Sequence, residues 1–524
     1  MSITRRQFIV GAAGAGLLTA APWIWTPRKS RVHAQAVTRA FIGAEGFGAQ
    51  ANGWRNPNAA ILFVTNLNDT GAGSFRTLYN TAGPRYIIFR VGGYIINSTS
   101  TNEANYLSNF TNGDVYVAGQ TAPGGGITFR GNCPTNTNAD GIYVDGSHTC
   151  LRYVRARCHA DAGNNSWAIG FWRKGSHSNS IIDHCSGSFA TDDSLACNYH
   201  MSTVQYCLIS EGLSRGDGNH ARGALFDSHN GNPLYSFHHN ALMHAGVQRF
   251  PAFSSGQGGE MVNNLVYNWG GDGFGAGCYM HNVFNVTPTP KWDCVNHLMK
   301  WGPTSDDNGG GGANPLTASE VITGYAPCSV YLSGARGLLP GGQYMLNRTR
   351  GEPSPQCTYV GAKQWNPVWP VTQQDISSLA LGNAWAASLL ANVGCTRPTR
   401  DGIDTAVIAS YDAYTGDSTT AHENQSLWAL QNGGNPWTTL AAGTAEHLEP
   451  SGMTDEFITR MGLANTTASA LSTSISQARG LGEDFQNIEW NLMEKAGDIA
   501  PLEGSSAGKL GKSGKLRTTG KVRL

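Results

Sequence analysis

The chain has 524 residues, with 36 Lys and Arg against 36 Asp and Glu, 67 Gly and 11 Cys. Eleven of the bases lie in the first 36 and last 20 residues, which contain no acid, so the body between them is net acidic. An acidic body argues against a nucleic-acid partner, and the high glycine content is typical of a turn-rich β protein.

The first 36 residues combine the three parts of an export signal. Thr-Arg-Arg-Gln-Phe occupies residues 4–8, an apolar Gly/Ala-rich run follows over residues 9–25, and Ala-Gln-Ala ends at Ala36. Paired arginines ahead of a mild apolar run indicate a twin-arginine signal peptide. We therefore expect a mature protein that starts near Val37 and is secreted or periplasmic. No later apolar run is long enough to predict a membrane span.

Six short segments between residues 154 and 285 share one pattern, in which an alternating stretch leads to Cys or Asn and then to more apolar residues. They recur at intervals of roughly 18 to 33 residues, which is typical of a solenoid with one coil per repeat. Because the segments are short, β-rich and bounded by Gly, Asn and Ser, each coil is predicted to consist of strands joined by turns. Stacking would align the shared positions as an internal ladder. The predicted rungs are Cys158, Cys185, Cys207, Asn240, Asn264 and Asn282.

This periodicity predicts an all-β fold, a parallel β-helix with peripheral helices and long loops. We expect residues 37–300 to form the β-helix core and residues 301–504 to supply divergent loops and helices that pack on it. Helical character is predicted at 375–395 and 452–480. Residues 505–524, rich in Gly, Ser and Lys, are expected to be a disordered basic tail.

The odd number of cysteines leaves at least one outside any disulfide, and none has zinc-type spacing. Disulfides stay open for the eight that lie off the predicted ladder, without a readable connectivity. These are Cys133, Cys150, Cys197, Cys278, Cys294, Cys328, Cys357 and Cys395.

Four motifs carry a family resemblance. They are Gly-Ala-Glu-Gly-Phe-Gly-Ala at 43–49, the run from Val to Arg at 64–76, Ala-Gly-Gln-Thr-Ala-Pro-Gly-Gly-Gly-Ile at 118–127 and Ile-Ile-Asp-His-Cys-Ser at 181–186. Together they resemble the pectate lyases of polysaccharide lyase family one, especially a secreted bacterial branch, over about residues 40–286. The resemblance implies a right-handed parallel β-helix, in agreement with the periodicity, and a lyase that uses Ca²⁺.

The first candidate site contains Asp183, Asp192 and Asp193. Carboxylate oxygens gathered on a rigid outer face suit calcium, although three solvated turn aspartates are the alternative. In the related lyases, the aspartate matching Asp183 and an acid of the next segment bind calcium. This chain departs from the branch at Asp193, where Glu is more usual, and at Ala196, where some relatives carry a further acid. We therefore expect the substrate to complete the calcium shell, with Asp183 and Asp192 on the solvent side.

The second candidate is Arg249. The His-Asn pair at His239 and Asn240, followed by Val-Gln-Arg-Phe-Pro at 247–251, resembles the family motif in which the arginine is the catalytic base. An arginine can take a proton only if it is desolvated and the developing carbanion is stabilised. The alternative is that Arg249 only binds a substrate carboxylate electrostatically and takes no proton.

The third candidate is the segment at 209–222, which resembles the family segment that supplies cationic contacts to the substrate. Basic side chains there would bind uronate carboxylates through charge-assisted hydrogen bonds. His184 and His238 are expected to be structural. Aromatic packing, rather than stacking on sugars, is expected for Trp167, Phe171 and Trp172. The predicted substrate-binding residues are Arg215, His220, Arg222 and His239.

The favoured function is a secreted, calcium-dependent pectate lyase that acts on polygalacturonate as a monomer. Alternatives are a pectin lyase acting on methylated pectin, a hydrolase of the same architecture and a non-catalytic β-helix that binds polysaccharide. The acids at Asp183 and Asp192 argue against a pectin lyase, because pectin lyases dispense with calcium. A hydrolase would leave Arg249 without a purpose.

Overall fold

The computed structural model describes most of the chain after residue 37, and all described residues belong to the unit Val37–Leu524. The predicted signal peptide, the basic tail, Asn282, Arg215 and His220 lie outside the described residues. The described ranges are 38–97, 110–131, 141–158, 166–171, 177–213, 222–227, 234–246, 249–253, 257–269, 278–280, 289–305, 322–324, 328–338, 344–346, 357–416, 440–479 and 483–503.

The described strands form three sheets of eleven, ten and eight strands, here named sheets 1, 2 and 3. Sheet 1 consists of β1 (Ala60–Val64), β2 (Arg85–Phe89), β5 (Val115–Ala118), β8 (Thr149–Arg152), β11 (Ser178–Asp183), β14 (His200–Gln205), β17 (Leu234–His238), β20 (Gly258–Val262), β23 (Lys291–Val295), β26 (Cys328–Ser333) and β29 (Cys357–Val360). Sheet 2 consists of β3 (Gly93–Asn97), β6 (Ile127–Gly131), β9 (Arg155–Arg157), β12 (Ser186–Ser188), β15 (Leu208–Ser210), β18 (Ala241–Met243), β21 (Leu265–Tyr267), β24 (Leu298–Lys300), β27 (Arg336–Leu338) and β28 (Tyr344–Leu346). Sheet 3 consists of β4 (Phe110–Thr111), β7 (Ile142–Asp145), β10 (Ile169–Phe171), β13 (Asp193–Cys197), β16 (Arg222–Phe226), β19 (Ala252–Phe253), β22 (Cys278–Met280) and β25 (Ile322–Gly324).

Through the regular coils, the chain visits sheet 3, sheet 1 and sheet 2 in turn, and each strand pairs with its equivalent in the next coil. The described pairs within the three sheets are parallel except β27 with β28. This arrangement confirms the predicted right-handed parallel β-helix. The coils continue to Val360, so the expected core boundary at residue 300 is too early. The Gly- and Asn-rich stretch after Ser305 interrupts the sequence pattern without ending the sheets.

The space between the three sheets is filled with buried apolar side chains. Helix α1 (Phe75–Tyr79) closes one end of this core, and its Phe75 ring centroid lies 4.7 Å from that of Phe129 and 5.3 Å from that of Phe110. The side chain of Ser74 caps the helix by accepting a hydrogen bond from the Thr77 amide. The helix therefore brings a bulky aromatic ring over the open end of the solenoid.

A two-residue turn joins strands of sheet 1 to strands of sheet 2, and its second residue forms the internal ladder. Asn240 Nδ2 donates to the Val204 carbonyl at 2.9 Å and to Asn264 Oδ1 at 3.1 Å. The Cys207 amide in turn donates to Asn240 Oδ1 at 2.8 Å. The register of the flanking strands stacks these turn positions, so the predicted rungs Cys185, Cys207, Asn240 and Asn264 are confirmed.

Two predicted rungs need a different assignment. Ser186 of β12 is in register with Arg155 of β9, so the rung below Cys185 is Val154, and the prediction for Cys158 is wrong. At the other end, the Asn264 amide donates to His297 Nδ1 at 3.2 Å. The next rung is therefore His297 and not Asn282, as the sequence predicted. The sequence search for Cys or Asn at the rung missed both residues because an apolar side chain and an imidazole also fit there.

Helices and the N-terminal segment cover two of the sheets. The segment at 38–51 packs on sheet 1 together with α4 (Asp455–Met461), α5 (Thr467–Leu471), α6 (Ser474–Arg479) and α7 (Asn487–Ala496). Helices α2 (Leu379–Asn392) and α3 (Gly402–Ala413) pack on sheet 2. Helices therefore occur in both segments for which the sequence predicted them. Among the described residues, no helix is long and apolar enough to span a membrane.

Several cysteines for which a disulfide stayed open are buried free thiols, as are two ladder rungs. Burial raises the pKa of these thiols, to about 12 for Cys197 and to about 11 for Cys395. They therefore act as small apolar side chains. The free thiols include Cys150, Cys185, Cys197, Cys207 and Cys395.

Candidate functional site

Four charged residues from three successive coils meet at the N-terminal ends of strands in sheet 3. Asp192 and Asp193 stand at the beginning of β13, Arg222 begins β16 and Arg249 lies three residues before β19. Asp193 is in register with Arg222, and the pairing of Leu225 with Ala252 places Arg249 at the equivalent position one coil further on. We call Asp192, Asp193, Arg222 and Arg249 the acid–arginine cluster.

Each arginine of the cluster pairs with one aspartate. Arg249 Nη1 donates to both carboxylate oxygens of Asp193, at 2.6 Å each, and lies 4.0 Å from Asp192 Oδ1. Arg222 Nη1 donates to Asp192 Oδ1 at 2.5 Å. Asp192 Oδ2 has no hydrogen-bond partner among the described residues. One carboxylate oxygen of the cluster is thus available to a ligand.

The turn that carries the two aspartates is held by a reciprocal pair of side chains. The Ser166 amide donates to Thr191 Oγ1 at 3.1 Å, the Thr191 amide donates to Ser166 Oγ at 3.0 Å, and the two hydroxyl oxygens are 2.9 Å apart. The Asp192 amide donates to the Ser166 carbonyl at 3.0 Å. These bonds fix the backbone from which both carboxylates project.

The backbone of Arg249 is equally constrained. It adopts the left-handed region with φ 66°, which costs energy for a residue with a side chain. Its carbonyl accepts from the Ala224 amide at 2.8 Å. A Cβ on Gly223 would lie 2.3 Å from that carbonyl oxygen, so only glycine allows this approach. Gly223, Ser166 and Thr191 were missed by sequence reasoning, since none of them bears a group that suggests chemistry.

Burial and charge act in opposite directions on Asp193. Burial raises its pKa to about 7, the Arg249 guanidinium opposes that rise, and the adjacent Asp192 carboxylate adds to it. Burial is the largest cause of the raised pKa, so the ionised form of the carboxylate pair is stabilised by positive charge placed beside it. Such a pair favours an additional cation.

Asp183 does not join the cluster. It ends β11 of sheet 1, is fully buried, and contacts Arg152 at 2.7 Å, Gln205 at 2.6 Å and His184 at 2.9 Å. Burial opposes the charged form, but Arg152 and then His184 outweigh it and hold the Asp183 pKa far below its usual range. The expectation that Asp183 and Asp192 lie on the solvent side was wrong. Asp192 is only 6% exposed, and the outward face of Asp183 is covered by Arg152, which also binds Asp498.

His239 also lies apart from the cluster, in the turn after β17. Its Nε2 faces the Asn263 amide nitrogen at 2.9 Å, and its Nδ1 lies 3.0 Å from Nδ1 of His238. Asn263 is oriented by donating to the Thr372 carbonyl and accepting from the Gln374 amide, so it donates to His239 Nε2. The proton of His239 must then sit on Nδ1. The predicted substrate contact through His239 finds no support in this geometry.

Glu45, His238 and His239 are the group of described residues whose ligand atoms come within 4.8 Å of one another. This group does not suit a metal. A metal on His239 Nδ1 would strip the ring of its last proton, since Nε2 already accepts from Asn263. Both oxygens of Glu45 are taken by Thr372, at 2.9 Å to its amide and 2.6 Å to its hydroxyl. Glu45 of this group instead links the N-terminal segment at 38–51 to Thr372 in the segment at 363–374.

The acid–arginine cluster suits a hard cation better. Its donors are carboxylate oxygens, one of which is available on Asp192. Calcium takes six to eight oxygen ligands, so the described side chains could supply only part of its shell. Ala196, which follows Ser194 by two residues in β13, offers no ligand.

By register, Trp167 lies opposite Asp193 on the preceding coil. It is partly exposed and packs on Tyr143, with ring centroids 5.7 Å apart. Phe171 instead stacks on Tyr199 inside the core, 5.4 Å between centroids. The predicted packing role is therefore confirmed for Phe171.

Comparison with known proteins gives the following likenesses. The chain is 36% identical to "Probable pectate lyase C" of Aspergillus fumigatus over 243 residues, which cover 46% of this chain and 50% of that protein. It is 37% identical to the protein of the same name from Neosartorya fischeri, again over 243 residues, 46% of this chain and 50% of that protein. The chain thus spans about half the length of these curated relatives. No family model matches.

Among solved structures, the chain resembles the cedar pollen allergen jun a 1, with a TM-score of 0.42 and 14% identity over 67% of this chain and 92% of that one. It also resembles a pectate lyase from Bacillus sp. N165 in complex with trigalacturonate, with a TM-score of 0.39 and 14% identity over 67% of this chain and 98% of that one. The curated relatives are fungal, so they lend no support to the expected bacterial branch.

Proposed function

We propose that this chain is a calcium-dependent pectate lyase that cleaves α-1,4-polygalacturonate by β-elimination and releases 4,5-unsaturated oligogalacturonides. The acid–arginine cluster carries the proposal. Arg249 and Asp193 are 56 residues apart in sequence and meet at 2.6 Å, so the expected base lies beside the expected metal ligands. The printed name of the curated relatives points to the same activity.

The residues that would hold calcium are Asp192, through its available oxygen, and Asp193. A bound calcium ion would neutralise the uronate carboxylate and so acidify the proton on C5. Because the cluster offers few oxygens, the substrate carboxylate and water must supply the rest. Calcium is therefore expected to bind more tightly with polygalacturonate than alone.

Arg249 is proposed to take the C5 proton. Its Nη1 donates to both carboxylate oxygens of Asp193, which places the guanidinium beside the expected metal ligands. Arg222, Arg215 and His220 are proposed to bind neighbouring uronate carboxylates. Asp183 is better explained as a structural carboxylate, since its oxygens are occupied and buried.

Export by the twin-arginine route, a bacterial origin and a monomeric state are further parts of the proposal. They rest on the sequence at residues 1–36 and on the family resemblance. An Arg5→Lys, Arg6→Lys precursor that is still exported would exclude the twin-arginine route.

The test uses purified protein of residues 37–524 on polygalacturonate, with calcium or with chelator. Ultraviolet absorbance from the unsaturated uronide should rise only with calcium. Absorbance on highly methylated pectin in the presence of chelator would instead indicate a pectin lyase. Sugar binding without new absorbance in any condition would indicate a polysaccharide-binding protein and reject the lyase.

A further inference from the structure

We propose that the thiols of this chain are oxidised readily while it is unfolded and are protected once it has folded, so that the coils must close in a reducing compartment before export. The inference rests on the proposed function only for the export step, because the twin-arginine route carries chains that are already folded. Three features of the described cysteines support it: their hydrogen bonds in the internal ladder, their burial and their chemistry.

All cysteines whose side chains are described are free and buried. Exported proteins ordinarily carry disulfides, because their compartment oxidises thiols that can pair. Thiols that persist there must therefore be protected. The free cysteines are Cys150, Cys158, Cys185, Cys197, Cys207, Cys294 and Cys395.

Two of these thiols are hydrogen-bond donors of the internal ladder. Cys185 Sγ donates to the Leu151 carbonyl at 3.5 Å, and Cys207 Sγ donates to the Ile182 carbonyl at 3.9 Å. Leu151 and Ile182 are in register on sheet 1, and the next carbonyl of the same column accepts from the amide of Asn240 at 2.9 Å. A thiol proton thus takes the place of an amide proton in the ladder.

Cys185 and Cys207 are also close enough to be joined. Adjacent strands are about 4.8 Å apart, and a disulfide links Cα atoms about 4.4–6.8 Å apart. Each Sγ is directed to a carbonyl of its own turn as well, at 3.4 Å to Asp183 and 3.3 Å to Gln205. A bond between the two sulfur atoms would remove both protons from these carbonyls. Oxidation at the rungs would therefore break the ladder.

The burial of other thiols depends on distant parts of the chain. Cys150 of β8 lies on sheet 1 beneath the N-terminal segment and the C-terminal helices. Cys395, which follows α2, donates from Sγ to the Tyr153 carbonyl at 3.1 Å and from its amide to Ser186 Oγ at 2.9 Å. Protection is therefore a property of the finished fold and not of any one coil.

Folding also removes the reactive form of the thiol. A thiolate attacks a disulfide of the oxidant, so that two chain thiols become one disulfide while the oxidant's disulfide becomes two thiols. Burial raises the pKa of Cys197 to about 12 and that of Cys207 well above its ordinary value. In the unfolded chain, the eleven cysteines are exposed and have ordinary pKa values of about 8.5.

Alkylation tests the protection. Purified protein of residues 37–524 is treated with iodoacetamide, and each cysteine is followed by peptide mass spectrometry. The seven thiols should react at least about a hundredfold more slowly in the native protein than in denaturant, since reaction requires local or global unfolding. Equal rates with and without denaturant would overturn the inference.

Refolding tests the effect of early oxidation. The reduced, unfolded protein is diluted into dithiothreitol or into oxidised glutathione, and the native yield is measured by the cooperative thermal transition, without any assay of turnover. The yield should be at least about fivefold lower in oxidised glutathione, whereas the same oxidant added after refolding should change nothing. Equal yields in the two solutions would contradict the proposal.

Variants at the rungs sharpen the refolding test. Val154 occupies the rung below Cys185, so valine fits this column. The double variant Cys185→Val, Cys207→Val should refold better than the unmodified protein in oxidised glutathione and equally well in dithiothreitol. Val154→Cys, the reverse change, should refold worse in oxidised glutathione alone. Yields in oxidised glutathione that do not follow this order would remove the role of the rungs.

Export gives the last comparison. Behind a signal for the general secretory route, which carries unfolded chains, residues 37–524 should accumulate as disulfide-linked species, and behind residues 1–36 they should keep free thiols. Native protein with free thiols from the general secretory route would reject the inference. If the Arg5→Lys, Arg6→Lys precursor is still exported, the twin-arginine proposal fails, while alkylation and refolding still decide the behaviour of the thiols.

Discussion

Two aspartate–arginine ion pairs of this protein differ in burial and in the number of further partners around them. On sheet 1, Asp183 and Arg152 are fully buried, and Arg152 also binds Asp498 and lies 3.6 Å from the centroid of the Phe41 ring. On sheet 3, Asp193 and Arg249 lie at the rim of the sheet, with the arginine still partly exposed. The first pair is closed by further partners, and the second stands beside an available carboxylate oxygen. A closed pair holds structure together, whereas an incomplete one can accept a ligand.

The largest expected effect comes from opening the closed pair. Asp183→Ala would leave the buried Arg152 with Asp498 as its remaining carboxylate partner, which should cost about 3 kcal/mol in the free energy of unfolding, the lower end for breaking a buried ion pair. Denaturant unfolding should show the loss, and Asp192→Ala should cost less, because its partner Arg222 keeps 17% of its side chain exposed to water. Equal stability losses in the two variants would remove the distinction between closed and incomplete pairs.

The next effect concerns the base. Arg249→Lys should lose at least about a hundredfold in turnover, because lysine lacks the second nitrogen and the planar fork of the guanidinium. Binding of polygalacturonate with calcium should weaken far less. Stopped assays of product absorbance and equilibrium binding would measure both. Near-normal turnover with poor binding would assign Arg249 to substrate capture.

A smaller effect is expected at the acid. Asp192→Ala should raise the calcium concentration needed for half-maximal activity by about tenfold, since the available oxygen is removed. Calcium titration of the lyase assay measures this. The matched control is Asp455→Ala, an exposed aspartate of α4. An unchanged calcium requirement would place the metal elsewhere.

The smallest effect is a difference in pH dependence between the two pairs. Asp193, with a folded pKa of about 7 against an ordinary value near 3.8, contributes stability that is lost as pH rises through 7. Asp183, with a depressed pKa, stays ionised in both states above about pH 5, so its contribution is constant there. In chelator, Asp193→Asn should therefore gain a few degrees in melting temperature relative to the unmodified protein between pH 5 and 8. Asp183→Asn should keep a fixed deficit, and a deficit that changes as much as for Asp193→Asn would contradict the assignment.

The coils could be predicted from the sequence because the second residue of each turn between sheets 1 and 2 must fit inside the solenoid, so similar residues recur there. Four rungs were found from Cys and Asn alone. The same pattern contained the position of Asp183, two residues before Cys185, just as Arg152 stands two residues before Val154. Taking Cys158 as the rung shifted that coil by four residues and hid the Arg152–Asp183 contact.

The site was harder to predict because distance along the chain is not distance around the coil. Asp183 and Asp192 are nine residues apart, yet β12 and its two turns carry the chain from sheet 1 to sheet 3 between them. Asp193 and Arg249 are 56 residues apart and touch. Motif order identified Arg249, whereas only register could show which aspartate it meets.

The cover of sheet 1 has a consequence for the order of synthesis. Trp54 Nε1 and Arg55 both donate to Glu489 of α7, so the N-terminal segment is finished by helix residues made about 430 positions later. At roughly 5–20 residues per second, a ribosome needs about 20 to 90 seconds for that stretch. For that interval, the aromatic and aliphatic outer face of the first coils is not yet covered by α7. Nascent chains halted before residue 487 should therefore be the species that chaperones hold and that aggregate when released.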